Sequence, residues 1–518
     1  MTSPSGPSKQ LIIQLARFGD LLQLAPLTAE LGTYSELHLL VDSSLEATAR
    51  LLPNVAKFIA IPRTDALKLM MQDDLAGLTG FWGDVADTLR HEHYDRVVNV
   101  THTPESGLLS RMTACRDVRG AYYDRRGLTT SDPWERLFRA TLSRRDFSGF
   151  HLVDYHRLSA GCETPFNIHP ERSGSTFNST RISLQLGANS PLRRWPVESF
   201  VRLAQAVHTV HPVQFTLLGA TEESPLAAEF LSRSGLPALD LTGKTKPSEL
   251  AEALRESDLL ISGDTGTIHL AALVGTGAVG IYLGMARPDD TAPYQQGAVI
   301  FEPRTSCYPC SEHNLCGHLS CHGDVPVEAV ASTVFDLLNG RAITPEDTPD
   351  YRRRLVELDE HGLLTLRGAT ITASDRRRSA MKNLWLSEFT DKQLAPTGVL
   401  EPADMDGLST FADLATRATT TARTFRTSME SGSPDRPLLK QIQSNLTQIE
   451  SHTIQPSLTG LLAQMFSLEI ERPPADPTKA IHLIESSIAS LSRRCHKLVA
   501  DLPPNSQLST LNFSAGAA

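Results

Sequence analysis

From Leu11 to about Gly340 the chain alternates short apolar runs with stretches of helical period, the pattern of a parallel α/β protein. The first unit reads LIIQLA as a strand, RFGD as a loop, LLQLAPLTAEL as a helix and LHLLVD as a second strand. KFIAI at 57–61 and DRVVNV at 95–100 are further strand candidates. The pattern restarts with RISLQLGA (181–188) and continues through VQFTLLGA, DLLIS, AVGIYLG and AVIFE. Helical stretches such as PVESFVRLAQAV and PSELAEALRES lie between them. The segment from Arg116 to Asn178 follows neither period and reads as irregular with some helix. Two α/β halves joined by a linker near 165–180 predict two lobes, with a ligand cleft at the carboxyl ends of the strands.

The pattern changes from about Ile343. LVELDEHGLLTLRGATITA (355–373) reads as a small strand pair, and the remainder is helical. Leu439, Ile442, Leu446 and Ile449 step 3-4-3, and Ile481, Ile484, Ile488, Leu491, Cys495 and Leu498 step 3-4-3-4-3. Such spacing marks helix-packing seams, so a small helical bundle is expected, with nothing catalytic in it.

At 518 residues two or three domains are expected. A hydrophobic content of 40% and a charged content of 21% are ordinary for a globular protein. The formal net charge of -10 argues against a nucleic-acid binder. MTSPSGPSKQ lacks the apolar stretch of a secretory signal, and no run of about 18 apolar residues is present. The expected compartment is the cytoplasm, with weak contact at a membrane surface left open.

Four stretches carry candidate chemistry. In ISGDTGTIHLAALVGTGAVGIYLG, the Gly263-Asp264-Thr265-Gly266 corner opens a helix whose N–H groups and positive end favour an anion. It is equally a plain reversal in which Asp or Thr caps the helix. QLGANSPLRRWPVESF (185–200) repeats the strand, loop and helix logic, and Arg193 and Arg194 suit a phosphate; solvated surface charge is the alternative. Asp20 in ARFGDLLQLAPL stands at the mouth of the expected cleft, where a carboxylate could take a hydroxyl proton; an ordinary helix cap is the competing reading. CYPCSEHNLCGHLSCH holds Cys307, Cys310, Cys316 and Cys321, with His313, His318 and His322 as further ligand types. A structural zinc suits that set, although the spacing is short and irregular, and buried or redox-labile thiols are the alternative. Glu222 and Glu223 suit ribose hydroxyls. Arg352-Arg353-Arg354 and Arg376-Arg377-Arg378 suit an anionic lipid or acceptor, or are solvated faces.

Taken together and in order, these motifs resemble glycosyltransferase family 9, the ADP-heptose:lipopolysaccharide heptosyltransferases and their relatives. The resemblance runs from about Leu11 to Ala331, and GDTGTIHLAA is its most specific element. It implies a GT-B fold of two Rossmann-like lobes with a cleft between them, the first binding acceptor and the second nucleotide-sugar. On this chain it adds a helical C-terminal extension, with divisions at 1–175, 176–342 and 343–518.

By the resemblance, Asp20 falls on the catalytic base and Asp264 on the carboxylate that orients the donor sugar. Thr265 and Gly266 fall on phosphate contacts, and His269 on the family's helix histidine. Arg193 stands where a lysine faces the donor phosphates, and Asn189 and Ser190 on the small polar residues of that loop. Either Glu222 or Glu223 falls on the ribose-binding glutamate. The implied reaction inverts the anomeric centre, requires no metal or other cofactor, and moves heptose from ADP-heptose to a glycan or glycolipid hydroxyl. Rival readings are another sugar or a protein acceptor, an epimerase, or a scaffold acting through self-association of the helical tail.

Overall fold

The computed structural model describes residues 8–123, 129–142, 144–162, 180–310, 316–390, 407–431, 435–454, 457–470 and 476–500. The linker expected near 165–180 falls almost wholly outside them. By compactness the chain divides into Met1–Thr130 with Phe150–Thr370, and Ser131–Gly149 with Ile371–Ala518.

The first unit contains two sheets. One is built from β1 (Ser8–Gln14), β2 (Ser35–Asp42), β3 (Lys57–Ile61), β4 (Arg96–Asn99), β5 (Asp117–Tyr123) and β6 (Thr129–Ser131), in the order β3-β2-β1-β4-β5-β6. β1 to β5 pair in parallel. Both faces are covered, so β1 is a continuous apolar run: Leu11 and Ile13 enter one core and Ile12 the other.

The other sheet repeats that order with β7 (Thr180–Gln185), β8 (Val213–Leu218), β9 (Ala238–Asp240), β10 (Leu259–Gly263), β11 (Gly277–Ile281) and β12 (Val299–Pro303). β10 divides its side chains in the same way, Leu259 and Ile261 to one core and Leu260 to the other. In each sheet the strand order reverses beside the first strand, between β1 and β4 and between β7 and β10. A crevice opens at the carboxyl ends of such strands, which is where loops can meet a ligand.

Two features depart from the sequence pattern, and one expected pair forms. β5 lies in the stretch expected to be irregular, because Arg119 and Gly120 interrupt its apolar residues. The strand pair forms as β14 (Tyr351–Leu358) and β15 (Leu364–Arg367), after the short β13 (Glu346–Asp347). β14 joins β12 antiparallel, so the second sheet continues past residue 342.

In the second unit, helix Leu408–Glu430 packs along Pro477–Ala500. One face of each is buried: Phe411, Ala415, Ala418 and Ala422 on the first, and Ile481, Ile488, Leu491, Cys495 and Leu498 on the second. The other expected seam is half covered, with Ile442 and Ile449 buried and Leu439 exposed. Ser131–Gly149 also belongs to this unit, and Trp134 meets Phe389 edge-on at 5.0 Å between ring centroids. Among the described residues no helix is long and apolar enough to cross a membrane.

Candidate functional site

The first wall of the crevice follows β1. After Gln14 the chain passes through three residues into a five-residue helix, α1 (Phe18–Leu22), whose N-cap is Arg17. Asp20 occupies the third helical position, and its carboxylate accepts a hydrogen bond from the backbone N–H of Arg17, one half of a capping box. The cap role and a place in the cleft therefore coexist. Burial holds the Asp20 pKa above the ordinary carboxylate value; the Arg17 N–H and the charges of Arg17 and His102 oppose it and lose.

The second wall begins after β7. Ser190 caps a 3-10 turn, Pro191–Arg193, by accepting from the N–H of Leu192 at 3.3 Å. Arg193 leaves that turn and donates to Asp264 at 3.0 Å, whereas Arg194 turns back to donate to the carbonyl of Ala188. After β8, Glu223 accepts from the N–H of Ala220 at 2.9 Å and from the side-chain amide of Gln185 at 2.8 Å. Gln185 in turn accepts from Thr267 at 3.0 Å, so a buried relay fixes the Glu223 carboxylate. A Cβ at Gly187 would lie 2.0 Å from that carboxylate, which is why the loop needs glycine there.

Asp264 follows β10 and receives a second hydrogen bond from Thr291 at 3.3 Å. Burial raises its pKa above the usual value in spite of Arg193, and the Asp20 charge acts in the same direction. Further along the chain lie the helices α2 (Val197–Val210), α3 (Pro247–Arg255) and α4 (Gly266–Val274). Thr265 is the N-cap of α4, yet its side chain makes no capping bond; its hydroxyl meets Ser262 at 3.0 Å instead. The positive end of α4 is thus left uncapped by any side chain, as an anion site requires. His269, one turn along, is buried, and burial lowers its pKa to about 4, so it is neutral at physiological pH.

The two walls meet in one cavity of about 550 Å³. Asp20, Asn189, Arg193, Glu223, Asp264, Thr265, Gly266 and His269 all line it. Ser190 and Glu222 do not: the first shapes the turn behind Arg193, and the second shares the Thr221–Glu223 turn without reaching the wall. Arg17, Gln23, Gln185, Lys246 and Thr291 line the cavity as well; the first three lie within the quoted stretches but were not among the candidate residues. Their common signal is position, since all but Gln185 lie in loops or at helix ends, and Gln185 closes β7. Contact between the walls is close. A Cβ on Gly266 would lie 2.3 Å from the Phe18 ring, and one on Gly19 would lie 3.3 Å from Gly266.

The cysteine-rich segment stands behind the Arg193 turn. His322 bonds the Leu192 carbonyl at 3.0 Å, Trp195 of the loop donates to Val325 at 3.3 Å, and the N–H of Cys310 donates to Gly284 at 2.9 Å. Cys321 is buried, Cys310 and Cys316 are half-buried, and Cys307 is exposed. Among the described residues no group of three or more His, Cys, Asp or Glu side chains is arranged to hold a metal ion, and His313 lies outside those residues. The segment braces the Arg193 loop through its backbone and His322.

The sequence model of glycosyltransferase family 9 (heptosyltransferase) matches residues 82–317. The chain carries a glycosyltransferase family 9 domain. It is 28% identical over 116 residues to lipooligosaccharide heptosyltransferase 2 of Haemophilus influenzae, covering 21% of this chain and 32% of that protein. It is 25% identical over 162 residues to the Campylobacter jejuni protein of the same name, covering 30% and 50%. The chain thus spans between a third and a half of the length of these curated relatives. The solved structure of a family 9 glycosyltransferase from Veillonella parvula superposes with a TM-score of 0.50 at 19% identity, over 64% of this chain and 97% of that one. The two share the GT-B fold. The matched segment contains the whole second wall, whereas Asp20 precedes it.

Proposed function

We propose that the protein is an inverting glycosyltransferase that moves heptose from ADP-heptose to a hydroxyl of a lipooligosaccharide core or a similar glycan. One observation carries this reading: a lone carboxylate of the first lobe, Asp20, shares a cavity with the cationic, hydroxyl-binding set of the second lobe. The names of the matched relatives support heptose as the sugar.

In this mechanism the first lobe, within residues 1–175, presents the acceptor, and the second, within 176–342, holds the donor. Glu223, fixed by Gln185 and the Ala220 N–H, accepts hydrogen bonds from the ribose hydroxyls. Arg193 and the positive end of α4 face the diphosphate. Asp264, already paired with Arg193 and Thr291, orients the sugar.

The acceptor oxygen attacks the anomeric carbon from the side away from the diphosphate while its proton passes to Asp20. The bond from that carbon to the phosphate oxygen breaks, and the charge left on ADP is stabilised by Arg193 and α4. A single displacement inverts the anomeric centre. These groups supply the charge that the leaving phosphate requires, so the proposed reaction calls for no metal and no other cofactor. The proposed setting is the cytoplasmic face of a membrane, where a glycolipid acceptor is reachable, with the helical unit open to self-association.

The test is a thermal-shift panel of nucleotides and nucleotide-sugars. Bound ligand raises apparent stability by mass action, and ADP-heptose should give the largest shift. Equal stabilisation by UDP- or GDP-sugars would remove the heptosyl assignment.

A further inference from the structure

We propose that Gln23 is a further binding residue of the cleft and holds a hydroxyl of the transferred sugar; this rests on the nucleotide-sugar reading above. Gln23 is the C-cap of α1, with helical backbone angles of φ -65 and ψ -11. It stands three residues after Asp20, and side chains at that spacing project from the same helix face with Cβ atoms about 5–6 Å apart. Both line the cavity. The amide is therefore placed beside the carboxylate that faces the reacting centre.

Gln23 is only 6% exposed, and its Oε1 has no hydrogen-bond partner within the protein. Buried amide oxygens are almost always paired, because an unpaired one forfeits its hydration without replacement. A carbonyl oxygen can only accept, so what it awaits is a donor, and a sugar hydroxyl is a neutral one that fits beside Asp20 without competing for charge. On the facing wall, His269 Nδ1 is also buried and unpartnered. A neutral histidine, like an amide, suits a hydroxyl rather than a phosphate.

The packing of α1 decides between donor and acceptor. Phe18 and Gly19 lie against Gly266, and Leu22 is buried among Leu218, Leu260 and Ile268 of the second lobe. This short helix of the first lobe is thus seated on the donor side, and its cleft face meets the sugar of the donor.

The experiment is calorimetric titration of the full chain with ADP and with ADP-heptose, for wild type, Gln23→Met and the milder Gln23→Asn. Loss of one hydroxyl contact predicts ADP-heptose binding weakened about 5- to 50-fold, with ADP affinity within about twofold of wild type. Unchanged ADP-heptose affinity in both variants overturns the assignment, and so does equal weakening of both ligands, which indicates a role in shaping the cavity. If wild type binds neither ligand, the nucleotide-sugar reading itself fails, and the assignment with it.

Discussion

The two walls of the cleft are built differently. On the second lobe every carboxylate at the wall is already held: Asp264 by Arg193 and Thr291, and Glu223 by Gln185 and the Ala220 N–H. On the first lobe, Asp20 is partly buried and takes only one backbone N–H. A wall that binds must be preorganised, so its polar groups are fixed before the ligand arrives. A base must keep its lone pairs for a proton, and the cost is a raised pKa. In the proposed mechanism the contrast corresponds to a holding side and a reacting side.

The largest effect expected is at Asp20. Asp20→Asn should cut transfer by about 10³-fold or more while donor affinity stays within a few-fold, as read from ADP release and titration in parallel. The same variant bears on stability. A carboxyl whose folded-state pKa is raised above its unfolded value binds more protons when folded, so stability falls as pH rises between those two values. At neutral pH the ionised Asp20 is a cost, and the neutral amide should unfold at an equal or higher temperature. Transfer by wild type should decline as pH falls through the raised pKa of Asp20, placing the acid limb above that of an ordinary aspartate. A variant that loses both activity and stability would erase the distinction between the walls.

Next is Arg193. Arg193→Ala removes the guanidinium proposed to face the diphosphate and leaves buried Asp264 without its charged partner, so ADP affinity should fall about 10- to 100-fold. Arg193→Lys should recover part of that loss. Gly266→Ala places a methyl 2.3 Å from the Phe18 ring and forces the two helix starts apart. Overpacking of that kind costs about 1–3 kcal/mol, to be read by denaturant unfolding. Smallest is the paired test of the glutamates: Glu223→Ala should weaken ADP several-fold and Glu222→Ala by less than about twofold, with titration separating them.

The same contrast explains what the sequence made legible. The strands at 258–262, 278–284 and 298–302 announce themselves because both faces of the sheet are covered there, which turns a strand into an apolar run. Asp264 and Asp20 were visible because each follows such a run at a glycine. The pairings were not visible. Thr291 reaches Asp264 from 27 residues away, and Gln185 meets Glu223 from 38 away. Spacing along the chain carries no record of such contacts. Glu222 and Glu223 are adjacent in sequence and alike in chemistry, and only the turn decides which one faces inward. The four cysteines drew attention by their spacing, yet the observable work of their segment lies in His322 and the backbone N–H of Cys310, which brace the Arg193 turn and its neighbours. Gln23 lies inside the ARFGDLLQLAPL stretch, but its interest comes from burial without a partner, which the sequence does not show.

In the proposed mechanism Asp20 is a base that does not bind donor. The most direct measurement takes the full chain with Asp20→Asn, titrates it with ADP-heptose, and follows ADP release in the presence of a truncated lipooligosaccharide acceptor. Donor bound with near wild-type affinity and ADP release reduced to background is the predicted result. ADP release at the wild-type rate would contradict it.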